Sequence, residues 1–190
     1  MFADLLGTLA EELDRANLRY MVIGGQAVLF HGEPRLTNDI DITVAAGLEQ
    51  LDSVLQVAAG SNLEPLVNPQ EFTPKTMVLP CLHRESGIRV DFILSFSPYE
   101  NEAIERAVEV EVGNSMVRFA TAEDLIVHKV LAGRARDLED VRSIILKNPE
   151  ADQPLITRAL ASLQELLDQG TTLTDRFDDI VRSLDHKHDT

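Results

Sequence analysis

The sequence predicts an α+β protein, with an α/β module to about residue 119 and a helical part over 120–190. Three observations carry this. Strand-length apolar runs alternate with helix-period segments up to Phe119. Residues 108–112 and 116–119 flank Gly113-Asn114, a hairpin signal at the end of that module. From Thr121 onward only the helical period remains.

In chain order, Leu5, Leu6, Leu9 and Leu13 share one helical face, which predicts a helix over 3–17. Residues 20–23 form a short apolar run ending at Gly24-Gly25, a strand that feeds a tight turn. A short helix is expected over 27–31, closed by Gly32 and Pro34. Residues 39–44 alternate acid and apolar side chains, which is strand periodicity with the acids on one face. A helix over 47–59 follows, and 60–74, with Pro65, Pro69 and Pro74, reads as loop. Strands are expected over 76–82 and 88–94, hinged near Glu85-Ser86-Gly87. Thr121-Ala122-Glu123-Asp124 has the form of a capping box, and later helices are expected near 137–147, 153–168 and 174–185.

Composition limits the function classes. The chain has 190 residues, 44% hydrophobic and 26% charged, enough for one compact domain or a small domain with a helical appendage. No run approaches the ~20 apolar residues of a membrane span, so no membrane partner is expected. The first residues carry acids where a signal peptide needs bases. Cys81 is the single cysteine and cannot form an internal disulfide, so a cytoplasmic protein is expected. A formal net charge of −15 argues against an extended face for duplex DNA, while a local cationic groove leaves RNA open.

The chemistry-bearing residues are acids set in apolar strands. Asp39 and Asp41 lie two apart, so both project to one face. Two carboxylates side by side on a buried face repel unless a cation sits between them, and Mg²⁺ takes hard oxygen ligands. Asp91, inside Arg89-Val90-Asp91-Phe92-Ile93-Leu94, completes a three-carboxylate cluster if its strand neighbours the first. It is the best placed of the three to act as general base. The plainer reading of Asp-x-Asp, a strand ending in a solvated turn, is outweighed only by its context. That context is Gly24-Gly25, where the backbone can approach a phosphate and a helix N-terminus supplies free N–H groups.

The full string VIGGQAVLFHGEPRLTNDIDITV resembles the signature of the DNA polymerase β-like nucleotidyltransferase superfamily. Arg35-x-Thr37-x-Asp39-Ile40-Asp41 further resembles the abortive-infection AbiEii-type branch, which contains type IV toxins. The resemblance implies the nucleotidyltransferase fold, a mixed β-sheet flanked by helices with the helical 120–190 region packed on it. It implies that Gly24 and Gly25 grip the triphosphate and that Asp39, Asp41 and Asp91 bind metal, with Arg35, Thr37 and Arg89 beside the nucleotide. Two departures stand out. Gly25 occupies a position where many members carry Ser, and Arg89 precedes the third acid where AbiEii-type proteins often have Lys. Arg keeps the charge and can fork on a phosphate.

Lys129 falls in the middle of an apolar arc formed by Ala122, Leu125, Ile126, Val130, Ala132 and Gly133. A buried lysine needs an acid or a phosphate to meet it. The resemblance implies a catalytic contact to nucleotide phosphates for Lys129, with Arg136, Asp137 and Asp140 as companions and Asp137 at the nucleotide. The alternative is a bridge from Lys129 to Asp137 or Asp140 that pins two helices. Asp137 has a second alternative as N-cap of a helix over 138–147. His31 and His83 lack metal-ligand spacing, and His186 and His188 fall in a polar tail.

The resulting expectation is an enzyme that moves NMP from an NTP to an acceptor hydroxyl with Mg²⁺ or Mn²⁺. The resemblance implies tRNA, a protein or a small molecule such as an aminoglycoside as acceptor, and a toxin that pairs with an antitoxin. The alternatives are a catalytically silent member that binds nucleotide or a partner, and a regulatory module acting through its helical tail.

Overall fold

The computed structural model describes residues 2–95, 97–167 and 172–188, with side chains to Leu184. The side chains of His186 and His188 lie outside the described residues. The chain divides into two compact units, Met1–Gln26 with Leu36–Ala120, and Ala27–Arg35 with Thr121–Thr190.

The first unit contains α1 (Phe2–Arg15), β1 (Tyr20–Ile23), the start of α2 (Gly24–His31), β2 (Asp39–Val44), α3 (Leu51–Gly60), β3 (Leu63–Pro65) and α4 (Pro69–Thr76). It continues with β4 (Val78–His83), β5 (Arg89–Leu94), α5 (Pro98–Arg106), β6 (Val108–Val112) and β7 (Ser115–Phe119). The strands form one mixed sheet in the order β3-β4-β5-β2-β1-β7-β6, with β2/β5 and β1/β7 parallel and the other neighbours antiparallel. Helices α1, α3, α4 and α5 pack against it.

Alternation in β2 and β5 sets the orientation of the acids. Ile40, Ile42 and Val44 of β2, and Val90, Phe92 and Leu94 of β5, are fully buried. Each such side chain contributes about 1.5–3 kcal/mol by leaving water. A one-residue slip would expose all six, so burial fixes the register. The odd-numbered residues, Asp39, Asp41 and Asp91 among them, must therefore emerge on the other face.

Five elements differ from the sequence reading. The expected loop over 60–74 contains β3 and begins α4, and its prolines explain both the misreading and the fold. Pro65 lies in β3, an edge strand that tolerates a missing donor. Pro69 starts α4, where no N–H is needed, behind an Asn68 side chain that accepts from Gln70 N. Helix α4 then runs to Thr76 and Met77 caps it at φ 57°, so β4 begins at Val78 rather than 76. Helix α5 was not anticipated. Its start is a complete capping box: Glu100 N donates to Ser97 Oγ at 3.2 Å, and Ser97 N donates to Glu100 Oε2 at 3.1 Å. Helix α2 begins at Gly24, three residues before the expected start.

The second unit is helical: the remainder of α2, then α6 (Ala122–Ala132), α7 (Ala135–Lys147), α8 (Gln153–Leu167) and α9 (Leu173–His188). Residues 27–35 cluster with it through specific bonds to α7. Arg35 forks on Asp140, Lys147 Nζ donates to Gly32 O at 2.6 Å, and Asn148 Nδ2 donates to His31 O at 2.9 Å. The N-cap of α7 is Arg134, so Asp137 sits at the third helical position and is not the cap the sequence allowed. Among the described residues, no helix is long and apolar enough to cross a membrane.

Candidate active site

The first unit gathers most of the expected residues at the N-terminal ends of β2 and β5. These strands pair in parallel with Asp41 opposite Asp91 and Asp39 opposite Arg89. Neighbouring strands run about 4.8 Å apart, so the three acids share one patch of one face. Asp39 is exposed, and Asp41 and Asp91 are half-buried. The sequence suggested acids on a buried face. They sit instead where the strands begin and water still reaches, which lowers the cost of their mutual repulsion.

The glycine turn abuts these acids because Ile23, the last residue of β1, pairs with Asp41. Gly24 has φ +66°, and a Cβ there would lie 1.9 Å from Asp41 Oδ2. Both conformation and space therefore demand glycine. A Cβ on Gly25 would lie 2.3 Å from Thr37 Oγ1 and 2.7 Å from its Cβ. Thr37 thus fills the space that a serine side chain at position 25 would occupy. Its hydroxyl donates to Asp39 Oδ1 at 2.7 Å, holding that carboxylate.

Arg89 is the cation of this face. Its Nε donates to both Asp91 oxygens, at 2.8 and 3.1 Å. The hydrogen bond to Asp91 and that carboxylate's charge hold the guanidinium in its cationic form beyond the ordinary arginine range, with smaller help from Asp39 and Asp41. Burial pushes the Cys81 thiol up to about 12, and the Asp91 charge adds to this, so Cys81 is no nucleophile. His83 closes the β4–β5 turn through Ser86, with Nδ1 2.7 Å from Ser86 Oγ. Among the described residues, no group of three His, Cys, Asp or Glu side chains could hold a metal ion as those side chains stand. Arg89 on Asp91 and Thr37 on Asp39 are what hold two of the carboxylates in their present directions.

The other expected residues form a separate network in the second unit. Lys129, Asp137 and Asp140 are 7%, 7% and 5% exposed. Lys129 Nζ lies 2.8 Å from Asp137 Oδ1 and 2.9 Å from Asp140 Oδ2, so α6 and α7 are joined by both bridges that the sequence offered as alternatives. Arg35 Nε and Nη2 meet the two Asp140 oxygens at 2.8 and 2.9 Å. Burial pushes the Asp140 carboxyl up, but the bonds and charges of Arg35 and Lys129 outweigh it and hold the group below its ordinary range. Asp137 Oδ2 is enclosed, with no hydrogen-bond partner among the described residues.

The model of a family described as nucleotidyltransferase of unknown function (DUF6036) matches residues 2–171. The chain belongs to that family. No protein of curated function matches it in sequence. Solved structures share its fold at low identity. An antigenic nucleotidyltransferase-like protein from Paracoccidioides brasiliensis is 19% identical, with 92% of each chain covered and a TM-score of 0.54. ANT(2'')-Ia in complex with adenylyl-2''-tobramycin is 14% identical, covering 86% of this chain and 97% of that one, with a TM-score of 0.57. The lincosamide antibiotic adenylyltransferase LnuA, lincomycin-bound, is 17% identical, covering 74% and 94%, with a TM-score of 0.54.

One residue of this nucleotidyltransferase's acidic face escaped the sequence reading. Gln26 is 7% exposed on the first turn of α2, and its Nε2 donates to the Asp39 backbone carbonyl at 3.4 Å. It ties the glycine turn to the first residue of β2. The available signal was a polar side chain directly after Gly24-Gly25 in an otherwise apolar helix.

Proposed function

We propose that this nucleotidyltransferase moves NMP from an NTP to an acceptor hydroxyl on the sheet face that bears Asp39, Asp41 and Asp91, with Mg²⁺ or Mn²⁺ as cofactor. The strand register carries the reading: Asp41 and Asp91 stand opposite each other, and Asp39 is two residues away on the same face. Three hard-oxygen donors on neighbouring strands suit a divalent ion of the Mg²⁺ class once their side chains turn from Arg89 and Thr37 toward one another. Such an ion supplies neutralisation of phosphate charge and acidification of an attacking hydroxyl.

The chain's own residues do the rest. Gly24, Gly25 and the first N–H groups of α2 receive the triphosphate. The Thr37 hydroxyl takes the place of the one Gly25 lacks, and Arg89 meets the departing pyrophosphate. Asp91 accepts the proton of the acceptor hydroxyl, whose oxygen bonds to the α-phosphorus as the bond to the pyrophosphate oxygen breaks. Lys129, Arg35 and Asp137 enter this reading as a supporting network, because carboxylates of their own unit already take both cations.

For the acceptor we favour a small, cationic, hydroxyl-bearing molecule. A formal net charge of −15 suits a cation, and two structures of the same fold carry adenylyl-tobramycin and lincomycin. The AbiEii-type reading, with tRNA or protein as acceptor and an antitoxin partner, is supported by the Arg35-x-Thr37-x-Asp39-Ile40-Asp41 string. The test uses α-labelled NTPs with Mg²⁺ or Mn²⁺ and three pools: aminoglycosides, total tRNA, and the protein with an adjacent-gene product. Label on the first pool that is lost in Asp39→Ala/Asp41→Ala is the expected result. Label on tRNA or protein transfers the reading to the toxin branch. No label from wild type in any pool overturns the transferase reading.

A further inference from the structure

Arg89 has two claims on it. It stands on β5 opposite Asp39, and its Nε holds both oxygens of Asp91. Its side chain is nevertheless 52% exposed, so the guanidinium can leave Asp91 without opening the core. While this contact is in place, the Arg89 Nε–H engages both Asp91 oxygens. A divalent ion that takes the same carboxylates competes directly with Arg89, since both need the same oxygen atoms and both are positive. The released fork fits phosphate oxygens as well as it fits a carboxylate.

We propose that Arg89 is an internal counter-ion of the acidic face, displaced from Asp91 by the divalent ion and thereby handed to the triphosphate. The inference rests on the metal-dependent reading above and deepens it: Arg89 becomes the positioning residue that links metal occupancy to nucleotide affinity. A residue with this role has opposite effects on the two ligands. Removing its charge strengthens metal binding, because the competitor for the Asp91 oxygens is gone. The same change weakens nucleotide binding, because a phosphate partner is lost. A residue that only contacts phosphate leaves metal affinity unchanged, and one that only orders Asp91 weakens both ligands.

The experiment titrates Mn²⁺ alone into the full chain, free ion being read by electron paramagnetic resonance, and then titrates ATP at saturating Mn²⁺. A charged hydrogen-bonded pair of this kind corresponds to about a tenfold change in affinity. Arg89→Gln should bind Mn²⁺ about tenfold more tightly than wild type and ATP about tenfold more weakly. Arg89→Lys, which keeps the charge and loses the fork, should fall between them for both ligands. Wild-type Mn²⁺ affinity, or weaker, in Arg89→Gln overturns the inference; the metal reading then still stands if Asp41→Ala abolishes Mn²⁺ binding. If wild type binds no Mn²⁺, or Asp41→Ala binds it equally well, the metal reading fails and takes this inference with it.

Discussion

The acidic face of the first unit and the ion network of the second differ in balance and in access. The network closes on itself: Lys129 and Arg35 meet Asp137 and Asp140, two charges of each sign, and all but Arg35 are nearly fully buried. The acidic face carries three carboxylates, with Asp39 exposed, Asp41 and Asp91 half-buried, and Arg89 on Asp91 among the described ion pairs. A charge-balanced buried network is costly to break, even with Asp137 Oδ2 unbonded among the described residues. An unbalanced, accessible set of acids costs less to keep and gains when a cation arrives. On the proposed function, chemistry belongs to the acidic face and structural support to the network.

Several substitutions sharpen this contrast. The largest effect on stability belongs to Lys129→Met, which strands the buried Asp137 carboxylate and leaves Asp140 to Arg35 alone. It should lower unfolding free energy by about 3–5 kcal/mol, read as a fall in the urea midpoint. Asp41→Ala truncates a half-buried side chain and leaves the apolar side of β2 untouched, so unfolding free energy should fall by no more than about 1 kcal/mol. If the two variants exchange places, the division of labour is wrong.

Gly24→Ala acts at the junction of turn and acid. The left-handed backbone costs about 1–2 kcal/mol with a Cβ, and that Cβ must drive the Asp41 carboxylate aside. Transfer activity should fall on the order of a hundredfold, well beyond the modest loss of stability. Wild-type activity would show that the glycine turn is independent of Asp41.

A pH dependence belongs to the helical unit. Burial pushes the His128 imidazole down to about 4, with the Asp124 charge opposing in part. Between about pH 6.5 and 4 the unfolded chain therefore binds a proton that the folded chain refuses. Stability is complete above this window and declines as pH falls through it, by roughly 1–3 kcal/mol. His128→Leu should flatten the denaturation profile in that window, and an unchanged slope would assign it to other groups.

The sequence was most readable where local pattern and burial agree. Apolar and acidic side chains alternate so regularly in Asp39–Val44 that both the strand and its acidic face followed from the residues. Prolines misled because their meaning depends on place: Pro65 on an edge and Pro69 at a helix start do not break structure. Ser97-Pro98-Tyr99-Glu100 held a capping signal for α5 that apolar periodicity alone passes over. The pairing of Asp41 with Asp91 spans fifty positions of chain and is decided by tertiary packing, which no local pattern encodes. Polarity required an acid or a phosphate for Lys129 and offered Asp137 or Asp140, yet only the fold shows both acids and Arg35 meeting there.

The most direct test of the central claim is calorimetric titration of ATP with Mg²⁺ into wild type, Asp41→Ala and Asp140→Ala under conditions where all three are folded. Metal-dependent ATP binding should persist in wild type, disappear in Asp41→Ala and survive in Asp140→Ala. Equal ATP binding by wild type and Asp41→Ala would contradict the assignment of chemistry to the acidic face.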